Sequence, residues 1–259
     1  MKYFDKQSID RILLRAPNWI GDAVMTTPAM SAIRVTFPRA QISVLANDTV
    51  GELLRFHPAC DQVITFDKGN GHKGFKGLWR LTRELKQAPF DVAILMQNAF
   101  EAALIAFLAG IPLRAGYRTD GRRLLLNYGI PVGPKKRQLH HVDYYLEMVK
   151  ALGIEEDHKE LVLACTEHEI AWAQGKFGNK TYAVIASGAA YGSAKRWKPD
   201  RFAAAADGLA SQFGLETVLI GDGIDHTTGH QIEARMQSPA HTLVGKTSVR
   251  QMMAVIANS

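Results

Sequence analysis

Strand-like and helix-like runs alternate along almost the whole chain, and that alternation decides the fold class. Short apolar runs bounded by polar or turn residues read as buried parallel strands at residues 12–14, 41–46, 62–66, 90–96 and 114–117. Helical spacing fills the intervals: from Asp22 through Val24, Ala29, Ile33 and Phe37, then 49–56, 78–86, 99–109 and 139–152. Residues 118–136 read as irregular and basic, and a connecting stretch runs to about Thr166. A second βα series follows, with strands at 183–186, 217–220 and 242–244. Its helices are expected at 199–213, closed by Gly214, at 231–236, and from 248 to the last residue, Ser259. Ser248 and Gln251 have capping-box spacing for that last helix. Such alternation predicts an α/β protein of mostly parallel sheets with helices on both faces. We expect two Rossmann-like domains, residues 1–165 and 166–259, the second with three strands. In sheets of this kind ligands bind at the carboxyl ends of the strands.

Composition narrows the partners. The 259 residues are 47% hydrophobic, enough for two cores, and carry a net charge of +6. That balance suits an anionic ligand, a phosphorylated substrate or an acidic membrane face. There is no run of five basic residues, and no nucleic-acid partner is expected; the densest patch is Lys135-Lys136-Arg137. Cys60 and Cys165 form neither a disulfide framework nor a metal pattern, which fits a reducing cytosol. The N-terminus is polar, without an apolar signal core, and the longest apolar stretch, 102–112, is too short to span a bilayer.

Asp22 stands at a strand's carboxyl end, on the first turn of a helix, where it is either a cap or a ligand-facing carboxylate. Two familiar patterns fail. Gly69-x-Gly71-x-x-Gly74 looks like a dinucleotide fingerprint, but the nearest acid, Asp91, sits at the wrong end of the next strand. Gly245-Lys246-Thr247 resembles the tail of a P-loop, yet the leading glycine is Ala240. The small-residue loop from Ser187 to Trp197 is a better anion cradle, because its backbone N–H groups can approach a ligand and Lys195 and Arg196 add positive charge. Asp222 and Asp225 follow the next strand, where a carboxylate can accept hydrogen bonds from ribose hydroxyls or serve ordinary turn chemistry. Arg114, Arg118, Arg122 and Arg123 follow another strand end; their forks suit carboxylates and phosphates, or face solvent. His140 and His141, adjacent before a helix, are not read as metal ligands.

With these stretches in hand, the chain resembles the lipopolysaccharide heptosyltransferases. The resemblance is carried by PNWIGDAVMTTP (17–28), QNAFEAALIAFLAGIPLRAGYR (97–118), LLLNYGI (124–130), HHVDYYL (140–146) and SGAAYGSAKRW (187–197). It implies a GT-B architecture, two Rossmann-like domains facing across a cleft, the first taking the acceptor and the second the sugar nucleotide. The implied reaction is an inverting transfer of heptose from ADP-L-glycero-D-manno-heptose to the heptose of the lipopolysaccharide inner core. Asp22 matches the family's general base. Ser187, Gly188, Ser193, Lys195 and Arg196 match the donor diphosphate loop, and Asp225 matches the acidic residue at the ribose. Ser187 departs from the proline or cysteine expected there; relative to proline it adds a backbone N–H. Asn98, Arg118 and Arg122 are the implied acceptor contacts. No cofactor or metal beyond the donor is expected, and the protein is expected in the cytoplasm, in peripheral contact with the inner membrane. The family's Asp-Ser-Gly-x-x-His segment is absent before Ser259, so the second domain is expected to be incomplete. Three alternatives stay open: transfer to Kdo, another nucleotide-sugar donor, or a binding fragment without turnover.

Overall fold

The computed structural model describes residues 8–69, 71–155, 158–178, 180–188 and 196–259, with backbone only at 135 and 137. The chain forms two compact units, Met1–Ala164 and Cys165–Ser259.

The first unit is built on six parallel strands: β1 (Arg11–Arg15), β2 (Gln41–Ala46), β3 (Gln62–Thr65), β4 (Val92–Leu95), β5 (Leu113–Tyr117) and β6 (Tyr128–Ile130). Their order is β3-β2-β1-β4-β5-β6, the doubly wound arrangement whose order reverses between β1 and β4. β1 lies at the centre, Leu13 opposite Ser43 on one side and Ala93 on the other. Its residues Ile12 to Arg15 are all buried, as expected of a strand covered on both faces. The helices are α1 (Ile20–Met25), α2 (Thr27–Thr36), α3 (Asp48–Leu54), α4 (Gly74–Gln87), α5 (Phe100–Leu108), the short α6 (Pro134–Arg137) and α7 (His141–Lys150). α4 and α5 pack against the sheet through Leu81, Leu85, Ala103 and Ala106.

The second unit has α8 (Glu167–Phe177), β7 (Tyr182–Ala186), α9 (Pro199–Phe213), β8 (Glu216–Ile220), α10 (His226–Glu233), β9 (Ala240–Thr242) and α11 (Val249–Ala257). Its parallel strands run in the order β7-β8-β9. Alternate residues of β8 serve opposite faces: Val218 and Ile220 join Phe177, Tyr182 and Val255, whereas Leu219 joins Ala203, Ile232 and Val244. α8 and α11 are tied by the Arg250 fork on Glu169, with nitrogen–oxygen distances of 2.8 and 2.5 Å. Gly214 closes α9 at φ 66°, and the Ser248–Gln251 capping box opens α11, both as the sequence predicts.

Several elements depart from the sequence reading. The helix expected from Asp22 to Phe37 is two helices. Thr26 turns the chain by bonding its own N–H and hydroxyl to the Ala23 carbonyl, and Pro28, lacking an N–H, starts a new helix. The irregular basic stretch contains β6, three residues long and too short to show a period. The connection before 182 holds α8, whose Thr166–Glu169 capping box is the signal that went unused. α10 begins five residues earlier than expected and β9 two residues earlier.

Candidate active site

In the first unit the site begins where β1 ends. Arg15 is almost wholly buried, and burial pulls its guanidinium down to about 10. Its Nη1 donates to the carbonyls of Ala16 and Leu45, and its Nη2 to Asn18 Oδ1 at 2.9 Å. Asn47 Nδ2 donates to the Asn18 carbonyl at 2.9 Å. These bonds clamp the Pro17–Asn18 turn from two strands, so α1 starts in a fixed place. Trp19 occupies its N-cap, with no side-chain cap bond, and Asp22 lies in the first turn. The Asp22 carboxylate is therefore not spent on capping. It reaches the neighbouring helix, where Oδ1 lies 3.0 Å from His141 Nδ1. The carboxylate is one-third exposed and faces a cavity of about 390 Å³.

That cavity is lined by the turn residues Pro17–Trp19, by Gln97 and Asn98 after β4, and by Leu139, His141, Tyr144 and Tyr145 at α7. On a helix, positions 141, 144 and 145 share one face, which is why α7 delivers all three side chains together. Asn98 is oriented from both sides: its amide donates to Tyr144 Oη at 2.8 Å, and its Oδ1 accepts from Arg122 Nη2 at 2.8 Å. Tyr117 Oη donates to the Tyr144 carbonyl at 2.7 Å, its ring 4.4 Å from that of Tyr144. Burial pushes the Tyr117 and Tyr145 phenols well above their ordinary range, so both stay neutral donors. Gln97 Oε1 has no hydrogen-bond partner among the described residues. A carboxylate, amides, a phenol and aromatic faces around one opening suit a hydroxyl-rich ligand with apolar ring edges.

The arginines expected to bind acceptor behave otherwise. Arg122 is fully buried. It donates from Nε to the Tyr117 carbonyl at 2.8 Å, from Nη1 to the Gln97 carbonyl, and from Nη2 to Asn98, and burial lowers it to about 10. The expectation of a ligand-facing fork at Arg122 is corrected: it is a brace beneath Asn98. Arg118 is exposed at the carboxyl end of β5, and its stem crosses Gly129 of β6, where an added Cβ would come 2.8 Å from it. Arg118 does not line the Asp22 cavity. Arg114 is another brace, its Nε donating to the Leu125 carbonyl at 2.7 Å. Asp91 accepts the N–H groups of Asp10 and Arg11 at the entry to β1, the edge away from the ligand side.

The second unit gathers its own polar groups at the carboxyl ends of β7 and β8. Ser187 is buried, its hydroxyl without a partner among the described residues. Asp225 is 8% exposed and packs against Gly188 so closely that a Cβ there would fall 1.8 Å from its carboxylate. That contact requires glycine at 188. Arg196 Nη2 lies 3.6 Å from Asp225 Oδ1. Asp222 instead caps the turn, accepting from Ile224 N at 3.4 Å. Ser193 and Lys195 lie outside the described residues. Among the side chains lining the Asp22 cavity, Gln97, Tyr144 and Tyr145 escaped the reading of individual residues, and His141 was weighed only as a metal ligand. The signal for His141, Tyr144 and Tyr145 was the 141/144/145 spacing on a helix beginning near His140.

Residues 78–259 match the model of glycosyltransferase family 9 (heptosyltransferase). The chain is 29% identical over 261 residues to lipopolysaccharide heptosyltransferase 2 of Escherichia coli K12, covering 95% of this chain and 74% of that protein. The solved structure of E. coli ADP-heptose LPS heptosyltransferase II superposes with a TM-score of 0.80 at 25% identity, covering 96% of this chain and 76% of that one. A family 9 glycosyltransferase of Veillonella parvula superposes with a TM-score of 0.85 at 20% identity over 96% of this chain and 74% of that one, a likeness of fold. The fold is thus α/β of the GT-B class, and the chain belongs to glycosyltransferase family 9, the heptosyltransferases.

Proposed function

We propose that this protein transfers L-glycero-D-manno-heptose from ADP-heptose to the heptose of the lipopolysaccharide inner core. The observation that carries the reading is the Asp22 carboxylate, freed from capping and held toward His141 at a cavity on the carboxyl edge of the first sheet. Family membership and the likeness to E. coli heptosyltransferase 2 support the substrate pair.

In this reading the first unit takes the acceptor. Asn98 and Tyr144 hold its hydroxyls, and Asp22 accepts the proton of the attacking hydroxyl. That oxygen bonds to the anomeric carbon from the face opposite ADP, the bond from that carbon to the diphosphate breaks, and the configuration inverts. The second unit takes the donor, with Asp225 at the ribose and with Ser187, Gly188, Ser193, Lys195 and Arg196 around the diphosphate. Positive charge at Lys195 and Arg196 stabilises the departing ADP. Arg118, exposed at the edge of the same sheet, remains a contact for outlying acceptor charge. The acceptor is built on a lipid, so the protein works as a peripheral protein at the cytoplasmic face of the inner membrane. No helix among the described residues is long and apolar enough to cross a membrane. Turnover measured against a panel of nucleotide sugars, with Kdo-terminated and heptose-terminated acceptors, tests the assignment. ADP-heptose with the heptose-terminated acceptor is expected to be fastest, and a preference for another pair overturns it.

A further inference from the structure

The glycine-punctuated stretch after β3 is no nucleotide loop, and the helix it introduces has an outer face exposed among the described residues. Gly74 starts α4 at φ 64°, and Gly77 lets the backbone of His72 fold onto the helix, since a Cβ there would fall 2.1 Å from His72 C. The inner face of α4 is apolar and buried through Leu81 and Leu85. On the outer face Phe75 and Trp79, one turn apart, are 81% and 59% exposed. Around them stand Lys73, Lys76, Arg80, Arg83 and Lys86, against one carboxylate, Glu84. That carboxylate is engaged by Arg80 at 3.1 Å and by His72 at 3.5 Å. Lys73, Lys76, Arg83 and Lys86 pair with no carboxylate among the described residues, and Arg83 sits over the Trp79 ring at 5.6 Å.

We propose that this outer face of α4 docks the protein on an anionic phospholipid bilayer, Phe75 and Trp79 entering the headgroup region while the bases meet lipid phosphates. The charge complementarity names the occupant: exposed aromatics ringed by bases that outnumber the carboxylates are what an interfacial helix presents to anionic lipid. Topology gives the docking a purpose. α4 follows a parallel strand, so its N-terminal turn, which holds Phe75, starts at the carboxyl edge of the sheet. That edge also carries Asp22, so a bilayer held there presents a lipid-borne acceptor to the cavity. The inference rests on the proposed lipid-linked acceptor for its purpose, but its test does not depend on turnover.

The test is flotation of the full chain with vesicles of phosphatidylethanolamine and phosphatidylglycerol, and separately with phosphatidylcholine alone. The protein is expected to float with the anionic vesicles, to release at high salt, and to ignore phosphatidylcholine. The double variants Phe75→Ser/Trp79→Ser and Lys76→Glu/Arg83→Glu are each expected to bind anionic vesicles at least tenfold more weakly. Their melting temperatures and their turnover on a delipidated acceptor should match the parent. Binding unchanged in both variants overturns the assignment to α4. Equal binding to phosphatidylcholine, or binding to single-stranded RNA in place of vesicles, overturns the lipid occupant. Flotation without transferase activity on any acceptor leaves the docking face standing and removes the proposed reaction instead.

Discussion

Arg122→Lys separates the two roles that can be given to this arginine. The substitution keeps the charge and removes the fork. In the structure the guanidinium serves three acceptors, the carbonyls of Tyr117 and Gln97 and Asn98 Oδ1, in a site closed to solvent. A lysine ammonium at the end of a single stem reaches one of them well, leaving two buried acceptors unsatisfied. Each costs about 1–3 kcal/mol, so the first unit should lose about 2–6 kcal/mol. For a unit of this size that lowers its melting temperature by roughly 4–24 °C. Asn98 would also lose one of its two anchors, so turnover should fall even well below the new transition. Scanning calorimetry with steady-state kinetics at low temperature reads both effects. An unchanged transition with a raised KM for the acceptor would refute the brace and restore Arg122 as a ligand-facing fork.

Three further outcomes are expected. His141→Ala should lower kcat about tenfold, about 1.4 kcal/mol of barrier, with ADP affinity unchanged; an altered ADP affinity in calorimetry would place His141 elsewhere in the reaction. Lys195→Ala should weaken ADP binding by about 1.5–3 kcal/mol, the scale of a hydrogen bond to a charged group, and an unchanged calorimetric affinity would take it out of the donor site. Glu169 is held down to about 2, first by its hydrogen bonds from Arg250, against an ordinary value of 4.5. A depressed carboxyl contributes its stability fully above that ordinary value and loses it as pH falls toward the folded value. Melts of the second unit should therefore weaken between about pH 4.5 and 2, and Glu169→Gln should flatten that slope; parallel pH curves for the two proteins would contradict the linkage.

What could be read from the sequence was whatever rests on period and local chemistry. β1 through β5 and β7 and β8 announce themselves as apolar runs, and Gly214 and the Ser248–Gln251 pair mark helix ends by local rules. Asp22 was visible because a carboxylate after a buried strand has few roles. β6 was not, since its pairing with β5 is a long-range matter decided in the folded sheet. The burial of Arg122 was equally hidden: an arginine in a basic segment looks solvated until the carbonyls of Tyr117 and Gln97 converge on it. His141 was dismissed as a metal ligand, and its real partner, Asp22, lies 119 residues away in sequence.

The central claim is that Asp22 removes the proton from the attacking acceptor hydroxyl, and Asp22→Asn tests it most directly. The parent and the variant would be mixed with ADP-heptose and a heptose-terminated inner-core acceptor, and the glycosylated acceptor followed by mass spectrometry. ADP binding would be measured by calorimetry on the same samples. The account predicts the same melting temperature and ADP affinity in both proteins, and transfer slower in the variant by about 100-fold or more. Transfer by Asp22→Asn at the parent's rate would contradict it.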